Sequence, residues 1–162
     1  MSIDVVIEDT RWKTLDLTQI ANHAFFETLS LLNLQPKSFE CCILACNSKK
    51  IKQLNNKFRG KNCPTNVLSF PASLENYEEK RTLTPTEPNT PYELGDIAIA
   101  FEICKEEAIN SKMKFENHIY HLIIHSVLHL LGFNHEEEKN AAKMEKIEVQ
   151  VLAKLGINNP YL

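Results

Sequence analysis

The sequence predicts an α+β fold: a small mixed four-stranded sheet packed with about five helices, one of them a zincin-like helix rich in histidine. Three observations carry this. Short β-branched or continuously apolar runs fall in the first hundred residues. Helical periodicity dominates the remainder, so strands come early and helices late. Finally, 162 residues that are 43% apolar and 24% charged suffice for one core and not for two ordinary ones.

Taken in order, Ile3 to Glu8 is short and β-branched and reads as a first strand. Leu17, Ile20, Ala21, Ala24, Thr28 and Leu31 then recur at helical spacing behind Asp16, a candidate cap. Phe39 to Cys46 is almost unbroken in its apolarity between Pro36 and Asn47-Ser48, which predicts a central strand buried on both faces. From Ser48, the triplet Ile51, Leu54 and Phe58 marks a narrow helical stripe ended by Gly60. Val67 to Phe70 and Asp96 to Ala100 read as the third and fourth strands. Between them, residues 72–93 hold Pro85, Pro88 and Pro91 with five glutamates and no sustained periodicity, which predicts a long mobile loop and not a second domain. Helices are expected over 102–111, 115–131 and 136–155, the last closed by Gly156.

Composition narrows the function classes. With 4 Gly and 7 Pro, collagen-like, linker-dominated and disordered chains are excluded. The start has early acids and no basic segment before an apolar stretch, and no run approaches the ~18 apolar residues of a membrane span. A cytoplasmic protein, neither exported nor anchored, is expected. Cys41, Cys42, Cys46, Cys63 and Cys104 are odd in number and contain no C-x-x-C, so they read as reduced thiols. A net charge of -3 gives no global basic field, so any polyanion must be held by a local patch.

The chemistry concentrates in one stretch: five of the six histidines lie between positions 118 and 135. At ~100° per residue, His118, His121, His125 and His129 fall on one narrow stripe, with apolar residues in nearly every other direction. His125 and His129 are i and i+4, so both imidazoles can reach one ion. Gly132 can reverse the chain and bring His135 round as a third ligand. Three imidazoles without a neighbouring Cys suit one Zn²⁺ per chain with a position left for water, whose pKa near ~7 makes it a usable nucleophile. The blander alternative, hydrogen-bonded core histidines, is outweighed by the stripe together with the turn-placed third histidine. For His118 and His121 alone the two readings stay level, each being a partner behind a ligand or a pocket wall. Zincin proteases carry a glutamate directly after the first histidine, where this chain has Ser126, so peptide hydrolysis by that route loses its base. Glu136, Glu137 and Glu138 are substitutes for it only against the simpler reading that acids favour a helix start.

Residues 47–63 hold Lys49, Lys50, Lys52, Lys57, Arg59 and Lys61 and no acid. Most of these suit a solvated helix face. Arg59 and Lys61 differ, because they flank Gly60 at a helix-to-strand turn, and an arginine offers phosphate a planar fork. A hydrolytic metal with a phosphate-gripping Arg59 points to phosphodiester cleavage, most easily on a strand without duplex structure. Lys61 and His121 are the candidate substrate contacts beside it.

His125-Ser-Val-Leu-His129-Leu-Leu-Gly-Phe-Asn-His135 is similar to the signature H-G-x-L-H-L-x-G-Y-D-H of the YbeY single-strand-specific metallo-endoribonucleases of bacteria and organelles. Phe58-Arg59-Gly60-Lys61 with Pro64 to Pro71, and Leu94-Gly95-Asp96-Ile97, resemble two further blocks of that family, in order, so the likeness runs over roughly 40–161. The resemblance implies a single metallohydrolase domain over 1–162, zinc on His125, His129 and His135, and an arginine needed for activity at Arg59. It also implies single-stranded RNA as substrate, a role in 3′-end maturation of small-subunit ribosomal RNA and in ribosome quality control, and the small ribosomal subunit as partner. It leaves room for a ribosomal protein or a ribosome-assembly GTPase as a further partner. Three features depart from the family pattern: Ser126 in place of Gly, Asn134 in place of Asp, and the longer stretch at 72–93. Two other function classes compete: a ribosome-associated RNA-binding factor whose zinc is mainly structural, and a metallohydrolase of another substrate class, which has only the H-x-x-x-H core behind it.

Overall fold

A computed structural model describes residues 3–82, 87 and 89–162. Four strands form one sheet: β1 (Ile3–Ile7), β2 (Phe39–Cys46), β3 (Val67–Pro71) and β4 (Tyr92–Ala100). Their spatial order is β1-β2-β4-β3, with β1 and β4 parallel to β2 and β3 antiparallel to β4. The mixed four-stranded sheet is thus as predicted. Among the described residues six α-helices accompany it: α1 (Leu17–Leu31), α2 (Ser48–Arg59), α3 (Tyr77–Lys80), α4 (Phe101–Asn110), α5 (Phe115–Leu130) and α6 (Glu138–Lys154). Among the described residues no helix is long and apolar enough to cross a membrane.

Alternation along the strands separates two faces. Cys41, Ile43 and Ala45 of β2 stand in register with Ile3, Val5 and Ile7 of β1. Ile43 and Ala45 also face Ile97 and Ile99 of β4. This face meets α1, α5 and α6 in the main core, where Ile20, Phe25, Ile123, Val127, Val151 and Leu152 are buried. On the opposite face, Cys46, Leu68, Ala98 and Ala100 meet Ile51 of α2 in a smaller cluster. β2 was expected to be buried on both faces. In the structure Glu40 is exposed and Cys42 and Leu44 are half-buried, because α2 is amphipathic and covers only part of that side. Along the α2 stripe burial fades from Ile51 through Leu54 to Phe58, which is exposed.

Local chemistry explains the boundaries. The Asp16 carboxylate accepts from Gln19 N and the Asn47 side chain from Lys50 N, capping α1 and α2. Gly60, in the left-handed region, ends α2. β4 begins at Tyr92, four residues before the expected start: Leu94 is an extra residue opposite the Glu40–Cys41 step of β2, and this bulge lets Tyr92 and Glu93 still pair with Phe39 and Glu40. Within 72–93, α3 is a single helical turn closed by a capping box between Asn76 and Glu79. Lys80 of that turn is buried, and its ammonium donates to the carbonyls of Leu130 and Ser73. Pro85 and Pro88 of the same stretch lie outside the described residues. All five cysteines are free thiols, four of them buried or half-buried.

Candidate metal centre and its cleft

Helix α5 is held by its apolar directions. Ile119, Ile123, Ile124, Val127 and Leu128 are fully buried, which fixes the helix rotation and sends the histidine stripe toward β3 and α6. After Leu131 the chain turns through Gly132 at φ +97°, a conformation that a side chain opposes. Phe133 N returns to the Leu128 carbonyl at 3.0 Å, and the Phe133 ring stacks on Tyr77 of α3 with centroids 4.5 Å apart. Two residues on, His135 faces back to the helix, its ring 4.9 Å from that of His129 and 5.6 Å from that of His125. One nitrogen from each of His125, His129 and His135 lies within 4.8 Å of the others.

The hydrogen bonds behind these rings settle which nitrogen faces the centre. His129 Nδ1 donates to the Phe133 carbonyl at 3.1 Å, and His125 Nδ1 to Glu148 Oε1 at 2.5 Å. A carbonyl and an ionised carboxylate only accept, so both Nδ1 atoms carry hydrogen and both Nε2 atoms point inward. Those Nε2 atoms stand 3.0 Å apart. Burial first, and then the charges of His125 and His135, pushes the His129 pKa down to about 4, so its Nε2 offers a lone pair at neutral pH. Facing imidazole nitrogens call for a cation between them. Tetrahedral ligation at ~2.0–2.1 Å would set such nitrogens roughly 3.3 Å apart, close to the separation found. The donor set, all nitrogen and without thiolate, fits a single divalent ion of the zinc type.

Glu148 of α6 was not foreseen. It is fully buried on the face that also carries Met144, Ile147 and Val151. Burial opposes its ionisation, but hydrogen bonds from His121, His125 and Tyr161 outweigh that and hold its pKa at about 2. One signal was present in the sequence: a lone acid inside an apolar stripe at helical spacing. His118, farther along the stripe, bonds Glu107 of α4 at 3.1 Å. Glu107 in turn receives both contacts of the Asn66 amide, which pins Asn66 at the mouth of the site.

A cleft of about 500 Å³ opens over the histidines, walled by Arg59, Thr65, Asn66, Val67, Ser69, Asn134 and Glu136 as well as by His125, His129 and His135. The structure therefore brings together four of the residues singled out from sequence, Arg59 and the three histidines. Arg59 is exposed at the end of α2 and forms no ion pair or hydrogen bond among the described residues. Lys61 is exposed just beyond Gly60 and is not part of the cleft wall. His121 points away from the cleft, with Nε2 at 3.0 Å from Glu148 and 3.2 Å from the Tyr161 hydroxyl. Among the described residues Glu136 is the one carboxylate in the wall, and Asn134 Oδ1 accepts from the Glu136 and Asn140 nitrogens, bracing the turn. Ser126, buried, leaves its hydroxyl without a partner among the described residues.

The family model described as Endoribonuclease YbeY matches residues 3–156. A protein of Jannaschia sp. named Endoribonuclease YbeY is 44% identical over 161 residues, covering 99% of this chain and 100% of its own. Its namesake from Dinoroseobacter shibae is 43% identical over 168 residues, covering 99% and 90%. A solution structure from Thermotoga maritima shares the fold at a TM-score of 0.57 and 23% identity, covering 94% of this chain and 91% of that one.

Proposed function

The chain belongs to the YbeY family of endoribonucleases, and from that premise we propose that it cleaves single-stranded RNA in a metal-dependent reaction, acting in 3′-end maturation of small-subunit ribosomal RNA and in ribosome quality control. The observation that carries this reading is the juxtaposition of a three-nitrogen donor set with an unpaired Arg59 in one cleft. His125, His129 and His135 hold the ion, and zinc is the metal their chemistry suits. When bound, such an ion supplies Lewis acidity toward a phosphoryl oxygen and a nucleophile usable near neutral pH.

The remaining work belongs to side chains of this chain. Arg59, which forms no ion pair among the described residues, grips the non-bridging oxygens of the scissile phosphate with its planar fork and offsets the charge that develops there. Asn66, fixed by Glu107, and Ser69 offer neutral polar contacts along the β3 wall. Lys61 adds positive charge beside Gly60, where a flexible strand continuing from Arg59 would pass. His121 serves from behind, through Glu148. The working location is the cytoplasm, with the small ribosomal subunit as partner.

Cleavage of end-labelled single-stranded RNA and of the matching duplex, by protein stripped with chelator and then reloaded with zinc, tests the reading. Single-strand cleavage is expected to vanish on stripping and return on reloading, with the duplex resistant throughout. Cleavage indifferent to the metal would contradict it and favour an RNA-binding factor with a structural ion.

A further inference from the structure

Glu148 is a carboxylate at zero solvent exposure in a helix face that otherwise packs apolar residues. Burying such a charge is costly, and an apolar side chain of similar volume is often at least as stable, so core packing alone gives no reason for it. Its two oxygens divide their partners in an informative way. Among the described residues, Oε1 takes only His125 Nδ1. Oε2 takes His121 Nε2 at 3.0 Å and the hydroxyl of Tyr161. Tyr161 is the penultimate residue, half-exposed, and its ring also stands edge-on to His121 with centroids 5.5 Å apart. One buried carboxylate therefore joins a cleft histidine on α5 to the segment that follows α6.

We propose that Glu148 is the positioning residue of His125 and that Tyr161, through the same carboxylate, couples the segment after α6 to ion loading. This rests on the reading of His125 as a metal ligand. An ionised carboxylate accepting from Nδ1 fixes the tautomer with Nε2 unprotonated, restrains the ring and raises its basicity as a ligand. Tyr161 donates to the other oxygen, so it restrains the carboxylate plane and closes the network from outside. Coupling of this kind is reciprocal: whatever the tail contributes to metal affinity, the metal returns to the order of the tail.

Three proteins decide the matter: wild type, Glu148→Gln and Tyr161→Phe, each titrated with Zn²⁺ against a chromophoric chelator and with Co²⁺ by visible absorption. Melting of each apo protein is followed in parallel. Glu148→Gln keeps the shape of the side chain, and its zinc affinity is expected to fall about 10- to 100-fold. Tyr161→Phe removes one hydroxyl donor to that carboxylate at a half-exposed position, and its affinity is expected to fall roughly 3- to 10-fold while the apo protein stays folded, melting only a few degrees below wild type. Wild-type imidazole ¹⁵N spectra should show His125 protonated at Nδ1, and zinc should slow amide exchange at Tyr161. If wild type binds zinc and both variants bind it within twofold, the positioning role is overturned while the metal site stands. If Glu148→Gln does not fold, unchanged affinity in Tyr161→Phe together with an unprotonated His125 Nδ1 overturns it equally. Failure of wild type to bind either ion removes the metal reading and this proposal with it.

Discussion

Replacing Gly132 by alanine probes the joint between the histidine helix and the segment that follows β3. Gly132 sits at φ +97°, and a Cβ built there would lie 2.6 Å from Asn76 C and from Tyr77 N and 2.8 Å from Asn76 Cα. These are backbone atoms, so relief requires α3 to move. The backbone conformation alone costs a residue with a Cβ about 1–2 kcal/mol. Displacing α3 further loosens the Tyr77–Phe133 stack, worth about 0.5–1.5 kcal/mol, and the bond from Lys80 to the Leu130 carbonyl, a buried acceptor worth about 1–3 kcal/mol. Gly156 supplies the internal control. It closes α6 at φ +73° with nothing within 4 Å of a built Cβ, so its alanine variant carries only the conformational cost. Gly132→Ala is therefore expected to lose about 3 kcal/mol or more in urea unfolding, and Gly156→Ala about 1–2 kcal/mol. At about 2–4 °C per kcal/mol for a chain of this size, the first should melt at least 6 °C below wild type. Zinc affinity should fall with it, since His135 lies three residues beyond the turn. Equal losses in the two variants would refute the close packing of residues 76–77 on the reversal.

Further expectations concern the same helix, the ion and the basic end of α2. Ser126→Ala removes a buried hydroxyl with no partner among the described residues and should raise stability by about 1 kcal/mol, read as a melting temperature about 2–4 °C higher; a loss of stability would mean the hydroxyl is bonded. Zinc at a thousandfold over its Kd should stabilise the fold by about 4 kcal/mol relative to chelator-treated protein, and calorimetry that shows no difference would exclude a site formed only on folding. Lys61→Ala should weaken single-stranded RNA binding and reduce the slope of log K against log salt by roughly 0.7, the contribution of one neutralised phosphate; an unchanged slope would place Lys61 outside the RNA path.

The parts of the site that are local in sequence were legible there. The i, i+4 spacing of His125 and His129 and the reversal at Gly132 are properties of a few consecutive residues, and the structure follows them closely. Glu148 was hidden for the opposite reason. Its partners depend on how α6 packs against α5 and on where residue 161 comes to rest, and helical periodicity specifies neither. The same holds for Trp12, fully buried between Phe101 and Phe115 and donating its indole N–H to the Cys46 carbonyl, although no repeat surrounds it. α3 is too short to show a period, and only the Asn76–Glu79 capping pair marks its start. The early residues of β4 read as loop because they are polar and follow a proline, yet a bulge admits them to the sheet.

The most direct measurement is cleavage of an end-labelled single-stranded RNA by wild type beside Arg59→Ala, with metal content matched. The Arg59 side chain is exposed and forms no ion pair or hydrogen bond among the described residues, so the variant should fold and load its ion as wild type does. Wild type is expected to cut and the variant to be slower by about 10²–10³, the usual effect of losing one charge-stabilising donor. Equal rates would place the chemistry outside this cleft and contradict the account.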